Sequence, residues 1–244
     1  MCGRFGLSEP EFSETRFQAL PLPEVAPLLI PRYNIAPTQD VLTVAVSKRL
    51  DGARSLKAMR WGLVAEWALN DRRKPRPINL KAENLLDRPY SRRLLERRRC
   101  IIPADGFYEW DKLNTRKQPW NIGIKGRGIF AFAGVWDACK AGDDWLVSCA
   151  ILTTEPNELV GRIHDRMPVI LRDSLEDVWL SEDAALPDLV PCLTAYPAGL
   201  MESYPVSGLV SDVKNEGAEL RQPPAHTMFT AAFTVPLPAI EGRG

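Results

Sequence analysis

The stretch 120–153 constrains the fold most, because three strand-like segments follow one another there with only short turns between them. Segments 120–125, 129–136 and 145–153 are rich in Ile, Val, Phe, Trp and Ala, and the turns that separate them contain glycine. Connections this short leave no room for a crossover helix, so neighbouring strands are expected to pair antiparallel. The sequence therefore predicts hairpins, not alternating strands and long helices.

The remaining segments extend this pattern to most of the chain. Alternating apolar residues predict strands at 41–48 and 55–64, and an edge strand at 204–214. Helical spacing is confined to short pieces, of which 90–98 and 174–180 are the clearest. Residues 66–78 are polar, basic and rich in proline, which predicts a long exposed loop.

The fold class follows from these elements together with the chain length. The chain has 244 residues, of which 45% are hydrophobic, and no internal repeat or composition break divides it. We predict one α+β domain of mostly antiparallel sheets, with a barrel-like or sandwich core and a few short peripheral helices. The domain is expected to span residues 1–222, and residues 223–244 form a proline-rich tail.

Charge and cysteine content limit the classes of function. Lys plus Arg and Asp plus Glu number 31 each, so a polyanionic partner would have to be held by a local basic patch, for which 72–76 and 92–99 are candidates. Both patches could equally be solvated surface. The five cysteines form no CxxC pair, which argues against a disulfide framework or a metal cluster. The sequence contains no secretory signal and no membrane-spanning segment, so we expect a cytoplasmic protein. We also expect no metal or cofactor.

The first three residues, Met1-Cys2-Gly3, carry distinctive chemistry. Removal of Met1 would leave Cys2 with an α-amine and a thiol on adjacent carbons, and both groups are partly nucleophilic near neutral pH. An aldehyde would form an imine with the amine, and the thiol could then close a five-membered thiazolidine. A cysteine after the start methionine can also be an accident.

Three further side chains could serve such a terminus. Glu109 lies among aromatic residues in GFYEW, where desolvation would raise the pKa of its carboxyl group, although the strand's polar face could simply meet water. His164 is one of two histidines and could act as an acid or base, or make structural hydrogen bonds; the other, His226, lies in the tail. Asn79 offers both a donor and an acceptor for orienting a substrate.

Seven sequence motifs, in order, resemble the SOS response-associated peptidase (SRAP) family. They extend from residue 2 to about residue 220 and are MCGRF, YNIAPTQ, RWGLV, INLKAE, ADGFYEW, HDRMPVIL and VSDVKNEGAEL. The resemblance implies a DNA-damage protein that senses abasic sites in single-stranded DNA and forms a covalent crosslink with them. It also implies lyase-like chemistry and a peptidase activity that removes Met1, either by the protein's own action or otherwise.

The resemblance assigns roles to particular residues. Cys2 would be the crosslinking residue, and Asn79, Glu109 and His164 would position the sugar and move protons. DNA-binding roles fall on four further residues: Arg4, Trp67, Lys81 and Arg166. A monomer that associates with the nucleoid when bound to DNA is implied.

The chain departs from the family pattern at three places, and other functions stay open. Leu80-Lys81 stands where many members have Ala-Arg, which keeps a cation but loses bidentate phosphate geometry. The loop after Trp67 is longer and more basic, and Ala68 replaces a second aromatic residue seen in some relatives. An N-terminal-nucleophile cysteine amidohydrolase also begins with Met-Cys-Gly. A noncovalent single-stranded DNA-binding module is the third alternative.

Overall fold

The structure is a computed structural model that describes residues 2–47, 50–71, 73–111 and 117–224. Met1, Arg72 of the first basic patch, and the tail from residue 225 with His226 lie outside the described residues. The predicted domain boundary at residue 222 therefore stays a prediction. No helix in the described ranges is long and apolar enough to cross a membrane.

Within these ranges, strands outnumber helices and the helices are short. The strands are β1 Phe5–Leu7, β2 Leu20–Pro21, β3 Arg32–Ile35, β4 Asp40–Ser47, β5 Ala53–Trp61, β6 Asn79–Lys81, β7 Arg99–Ala104, β8 Gly106–Trp110, β9 Pro119–Ile124, β10 Phe130–Ala141, β11 Asp144–Thr154, β12 Met167–Pro168, β13 Ile170–Leu171 and β14 Met201–Pro205. The α-helices are α1 Phe12–Phe17, α2 Pro89–Arg97, α3 Asp173–Leu180 and α4 Leu186–Leu189. Single 3-10 turns include Glu66–Ala68, Ala82–Asn84, Val160–Arg162 and Gly208–Ser211.

Five strands close into a small barrel. Antiparallel pairing joins β5 to β4, β4 to β7, β7 to β10 and β10 to β11, and β11 then pairs with β5 in parallel. A ring of five strands cannot alternate direction throughout, so one parallel joint is unavoidable. This joint ends where Trp61 meets Cys149, and β6 continues along the same edge of β11 from Asn79 opposite Ile151. Because β6 follows β5 along β11, closure of the ring places Asn79 just beyond the point where the β5–β11 pairing ends.

A second, five-stranded sheet packs against the barrel in the order β14, β9, β8, β1, β3. Four aromatic side chains join the two layers: the ring of Phe5 in β1 lies 5.1 Å from Trp61 and 5.8 Å from Phe132, and Phe107 in β8 lies 6.0 Å from Phe132. These edge-to-face pairs are buried and contribute beyond their area alone. They fix the strands that carry residues 2 and 109 over the barrel end.

The α+β class, the antiparallel sheets and the barrel-like core are confirmed. The three segments predicted in 120–153 form β9, β10 and β11, and β10 pairs antiparallel with β11 as predicted. The predicted pairing of β9 with β10 is wrong: β9 pairs with β8 and β14 in the second sheet, so residues 125–129 connect the two sheets. The helix predicted at 90–98 is α2, which buries Leu94 and Leu95. The region 66–78 is mostly exposed, but it begins with a 3-10 turn in which Ala68 is fully buried.

The predicted edge strand at 204–214 is wrong in its position. The edge strand, β14, ends at Pro205, and the chain then turns into Gly208–Ser211. The hydroxyl of Ser207 accepts a hydrogen bond from the backbone N–H of Leu209, which caps that turn and competes with an extended backbone. Val206 and Val210 are buried against Tyr108, so tertiary packing also favours the turn.

Candidate functional site

Cys2 is fully buried in the segment that leads into β1, three residues before that strand begins at Phe5. The backbone N–H of Tyr108 donates to the carbonyl of Arg4 at 2.9 Å, which extends the β1–β8 register toward the N-terminus. Continuing this register places residue 3 opposite Glu109. The strand pairing thus brings the segment at residue 2 next to the Glu109 carboxyl group.

The thiol of Cys2 is held in its protonated form. Burial raises the pKa of this thiol well above its usual range, and the negative charge of Glu109 raises it further. A hydrogen bond from the backbone N–H of Arg4 acts in the opposite direction but is the smaller effect. At neutral pH the sulfur is therefore a thiol that needs a proton acceptor before it can act as a thiolate.

Asn79 contacts residue 2 directly. Its amide Nδ2 donates to the carbonyl oxygen of Cys2 at 2.8 Å, across 77 positions of sequence. The neighbouring Ile78 carbonyl accepts from Ile151 N–H at 3.0 Å, so β11 fixes the backbone of Asn79. The Oδ1 atom of Asn79 is buried and has no hydrogen-bond partner among the described residues. This oxygen is an acceptor for a further group in the site.

Glu109 and His164 form a buried pair. The Glu109 Oε2 atom lies 3.8 Å from Nε2 of His164, and both side chains are 4% exposed. On the other side of the imidazole, Nδ1 lies 3.0 Å from the backbone N of Arg166 and 2.9 Å from Oδ1 of Asp165. A neutral ring can accept from Arg166 N–H, whereas a protonated ring can donate to Asp165. His164 therefore has a partner in either protonation state.

Arg166 is tied to the protein by three hydrogen bonds. Nη1 and Nη2 of its guanidinium donate to the two carboxylate oxygens of Glu83 at 3.0 and 2.7 Å, and Nη2 also donates to the Thr153 carbonyl at 2.7 Å. Its side chain is only 13% exposed. This bidentate bridge joins the loop that carries His164 to the turn that follows β6.

Arg4 is also anchored within the protein. Its Nη1 donates to Oδ1 of Asn34 and to the Val210 carbonyl, each at 2.7 Å, and its guanidinium lies 5.7 Å from the ring of Trp110. Burial lowers the pKa of this guanidinium below its usual range. The phosphate contacts expected of Arg4 and Arg166 stay predictions, and both side chains hold the site together.

Trp67 and Lys81 are the accessible members of the predicted DNA-binding set. Trp67 is 60% exposed on its 3-10 turn, and Nζ of Lys74 lies 6.0 Å from its ring. Lys81 is exposed at the end of β6, two residues beyond Asn79. The residue after Trp67, Ala68, is fully buried, so its small side chain fits where a second aromatic would need new space.

Two residues of the site received no role from the sequence. Asn34 is buried and bridges Arg4 to the carbonyls of Asp212 and Asn215, at 3.0 and 2.8 Å. Glu83 holds Arg166 as described above. Both lie in motifs that carried the resemblance, YNIAPTQ and INLKAE. Nothing in the local sequence shows that Glu83 is partnered by Arg166, or Asn34 by Asp212 and Asn215.

The cysteines and acidic residues show no metal-binding arrangement within the described parts of the chain. No group of three or more His, Cys, Asp or Glu side chains there could hold a metal ion. All five cysteines are free and buried. The candidate site consists of the Cys2 thiol, an amide, a carboxylate and an imidazole.

The fold and site define the class: an α+β domain with a small closed barrel, in which Asn79 bonds Cys2 near the buried Glu109–His164 pair. The family model described as SOS response associated peptidase (SRAP) matches residues 1–213. The chain belongs to this family. The family resemblance that the seven motifs indicated is confirmed by this match over residues 1–213.

Named relatives agree with this assignment, and a solved structure shares the fold. The chain is 43% identical over 228 residues to Abasic site processing protein YoqW of Bacillus subtilis, covering 90% of this chain and 98% of that one. It is 31% identical over 229 residues to Abasic site processing protein YedK of Escherichia coli, covering 91% and 100%. A crystal structure from Bacteroides thetaiotaomicron shares the fold with a TM-score of 0.81 at 21% identity, covering 91% of this chain and 100% of that chain.

Proposed function

We propose that this protein processes abasic sites in DNA by forming a covalent thiazolidine crosslink through Cys2. The relatives at 43% and 31% identity are named abasic site processing proteins, which supports the lesion as substrate. The observation that carries the chemistry is the convergence on residue 2 of groups from three separate parts of the chain. Nδ2 of Asn79 donates to the Cys2 carbonyl at 2.8 Å, and the negative charge of Glu109 raises the pKa of the Cys2 thiol. Nε2 of His164 lies 3.8 Å from Oε2 of Glu109.

The reaction begins once Met1 has been removed and the α-amine of Cys2 is exposed. The amine nitrogen attacks the aldehyde carbon of the ring-opened abasic deoxyribose, and the resulting carbinolamine loses water to give an imine. The sulfur then adds to the imine carbon, the thiol proton leaves, and the imine nitrogen gains a proton as the thiazolidine ring closes. No oxidant or reductant is required, because the sum is condensation with loss of one water.

The raised pKa of the thiol supports this order of steps. A thiol held protonated by burial and by the Glu109 charge is a weak first nucleophile, so the amine reacts first. The imine is a stronger electrophile than the aldehyde, and Glu109 accepts the thiol proton when the sulfur adds to it. His164 then exchanges protons with Glu109, and the unpartnered Oδ1 of Asn79 accepts a hydrogen bond from the sugar.

Single-stranded DNA is the proposed form of the substrate, and the protein acts as a monomer. Trp67 offers an exposed ring for a base to stack on, and Lys81 offers an exposed ammonium group beside Asn79. Arg4 and Arg166 contribute through the positions of residue 2 and His164, with phosphate contact as a second role. Removal of Met1 by the protein itself would account for the word peptidase in the family description.

Intact mass measurement before and after incubation with an abasic single-stranded oligonucleotide tests the proposal. The parent protein should lack Met1 and gain the mass of the oligonucleotide minus one water, in an adduct that survives a denaturing gel. Cys2→Ala should form no stable adduct, since an imine alone reverses. Cys2→Ser keeps the amine, so its adduct should appear only after borohydride reduction.

A matched control separates Cys2 from the other buried thiols. Cys139→Ala removes another cysteine and should crosslink like the parent. Equal crosslinking by Cys2→Ala would refute the proposal. Ammonia release from glutamine would favour the amidohydrolase alternative, and binding without any denaturation-resistant adduct would favour a noncovalent module.

A further inference from the structure

Asp165 is a carboxylate beside His164 that the reaction described above does not use. Its Oδ1 atom lies 2.9 Å from Nδ1 of the imidazole, which is the length of a charge-assisted hydrogen bond. On the other side of the ring, Oε2 of Glu109 lies 3.8 Å from Nε2, which is beyond hydrogen-bond length. Of these two carboxylates, Asp165 is therefore the one placed to bond the ring directly.

The two carboxylates differ in their access to solvent. Glu109 and the imidazole are each 4% exposed, whereas the Asp165 side chain is 74% exposed. The backbone N–H of His164 donates to the Val160 carbonyl at 2.8 Å, which ties the ring's loop to the preceding 3-10 turn. The imidazole is thus fixed between a buried acid and an acid in contact with water.

The Nδ1 atom of His164 faces a donor as well as an acceptor. The backbone N of Arg166 lies 3.0 Å from it. That N–H can donate only when Nδ1 carries no proton, whereas Asp165 can accept only when Nδ1 does carry one. Burial disfavours the protonated ring, and a carboxylate at hydrogen-bond distance favours it. The balance between these effects decides whether His164 carries a proton near neutral pH.

The proposed reaction needs a proton on the Glu109–His164 pair before it begins. When the carbinolamine loses water, its hydroxyl group takes one proton from the pair and leaves a protonated imine. When the sulfur adds to the imine carbon, the Cys2 thiol returns one proton to the pair, and the nitrogen keeps its hydrogen. The two transfers balance, so the pair must hold one proton at the start.

The other charged groups near the ring leave this part to Asp165. The Arg166 guanidinium, which would repel a protonated imidazole, is bound to both carboxylate oxygens of Glu83. Burial raises the pKa of the Cys2 thiol, so this group is uncharged at neutral pH. The titratable and charged groups around the pair include Cys2 of the N-terminal segment, Glu109 of β8, Arg162 of the preceding 3-10 turn, Asp165 and Arg166 of the loop, and Glu83 of the turn after β6.

We propose that Asp165 keeps a proton on His164, so that the Glu109–His164 pair enters the reaction with the proton that the carbinolamine requires. Asp165 is a positioning residue, because it acts through the imidazole and does not touch the DNA sugar. The inference rests on the proposed function. It adds a second carboxylate to that mechanism, on the solvent side of the ring.

Asp165→Asn keeps the size of the side chain and removes its charge. In a background with His226→Gln, His164 is the one imidazole in the chain, so proton NMR of the ring C–H signals follows its titration without DNA. The titration midpoint should fall by about 0.5 pH unit in Asp165→Asn, as for loss of one solvent-screened ion pair. Asp143→Asn, exposed in the turn between β10 and β11, is the matched control and should leave the midpoint unchanged.

The crosslinking rate should show the same shift. At saturating abasic single-stranded DNA, Asp165→Asn should react about threefold more slowly than the parent on the alkaline side of the pH optimum, where protonated His164 is scarce. On the acidic side the two rates should converge, because His164 is then protonated in both proteins. Asp165→Glu restores the charge and should recover most of the rate; thermal unfolding of each variant checks the fold.

The titration and the rate separate this inference from the proposed function. Equal titration midpoints in Asp165→Asn and Asp143→Asn would overturn the inference, whether or not the parent crosslinks abasic DNA. Slowing by one constant factor at every pH would also overturn it, because a general structural defect acts in that way. If the midpoint falls but the parent forms no crosslink, the proposed function fails while the hold of Asp165 on the His164 proton is supported.

Discussion

At the scale of single residues, the hydrogen bond between Asn79 and Cys2 joins the barrel to the segment that carries the proposed crosslinking cysteine. One side-chain amide fixes the carbonyl of Cys2 at 2.8 Å and leaves its own oxygen available. Positioning of this kind acts on the rate, because the reacting atoms must meet in one geometry. The affinity for DNA should change little when this hydrogen bond is removed.

Asn79→Ala should slow crosslinking about fivefold to tenfold, since a hydrogen bond contributes about 1 kcal/mol and 1.4 kcal/mol is tenfold in rate. The rate at saturating abasic DNA, read from denaturing gels over time, measures this. Asn84→Ala, at an exposed asparagine five residues away, is the control and should react like the parent. A wild-type rate in Asn79→Ala would contradict the positioning role.

The Glu83–Arg166 bridge makes a pH-dependent contribution to stability. The hydrogen bonds from Arg166 lower the pKa of Glu83 below its usual range, so the ionised form favours the folded state. This stabilisation is present above the unfolded pKa of about 4.3 and is lost as the pH falls through the lowered folded pKa. Glu83 is 41% exposed, so solvent screening keeps the effect small.

Glu83→Gln should therefore lower the free energy of unfolding by at most about 1 kcal/mol at pH 7. The difference from the parent should shrink as the pH falls from the unfolded pKa of about 4.3 through the lowered folded pKa, because the parent's carboxylate then becomes protonated and loses its charge. Urea unfolding at several pH values measures it, with the exposed Glu155→Gln as control. A difference that grows on acidification would have the wrong sign for this bridge.

At the scale of elements, β10 depends on a glycine at the middle of the barrel wall. A Cβ atom on Gly134 would lie 2.8 Å from Cδ1 of Ile102, 3.0 Å from Sγ of Cys100 and 3.3 Å from the Ala150 carbonyl. These neighbours belong to β7 and β11, on either side of β10. The close approach of three strands therefore requires the absence of a side chain here.

Gly134→Ala should destabilise the protein by about 1–3 kcal/mol, the usual range for overpacking a core. Gly208→Ala is the matched control, because a Cβ there meets no atom within 4 Å, and it should change stability by less than about 0.5 kcal/mol. Chemical denaturation of both variants makes the comparison. Equal stabilities would show that β7 and β11 can move apart without loss.

At the scale of the whole molecule, the C-terminal segment closes over the sheet that carries residue 2. Arg4 reaches Val210 across 206 positions of sequence, and Arg221 forms an ion pair with Asp105, which also accepts from the Ser8 backbone N–H at 2.6 Å. Arg221 lies beyond residue 213, where the match to the family model ends. The last turns of the domain thus brace its first strand.

Arg221→Ala should reduce the free energy of unfolding by about 3 kcal/mol, because it leaves the Asp105 carboxylate, only 6% exposed, without its cation. Adding Asp105→Asn should restore part of the loss by removing the uncompensated charge. Unfolding of the parent, the single variant and the double variant measures the coupling between the two residues. Additive losses would mean that the pair does not act as a unit.

The sequence by itself predicted most of the strands, the β10–β11 hairpin and the residue types of the candidate site. These features are local: alternation of apolar side chains sets strands, a short glycine turn sets a hairpin, and the chemistry of a cysteine side chain belongs to that residue alone. The expected β9–β10 hairpin failed because β9 pairs with β8 and β14 in the other sheet. The seven motifs also determined the family. The edge strand at 204–214 failed because a serine-capped turn and the burial of Val206 and Val210 outweighed its strand-like pattern.

Only the tertiary structure decided how these parts meet. Closure of the barrel through the parallel joint of β5 with β11, and the continuation of that edge by β6, bring Asn79 to residue 2 across 77 positions. Arg4 and Arg166, expected at phosphates, are engaged with Val210 and Glu83 because the fold brings those acceptors within reach. Such contacts cannot be predicted from the local sequence, because they depend on strand register and on closure of the barrel between residues far apart in the chain.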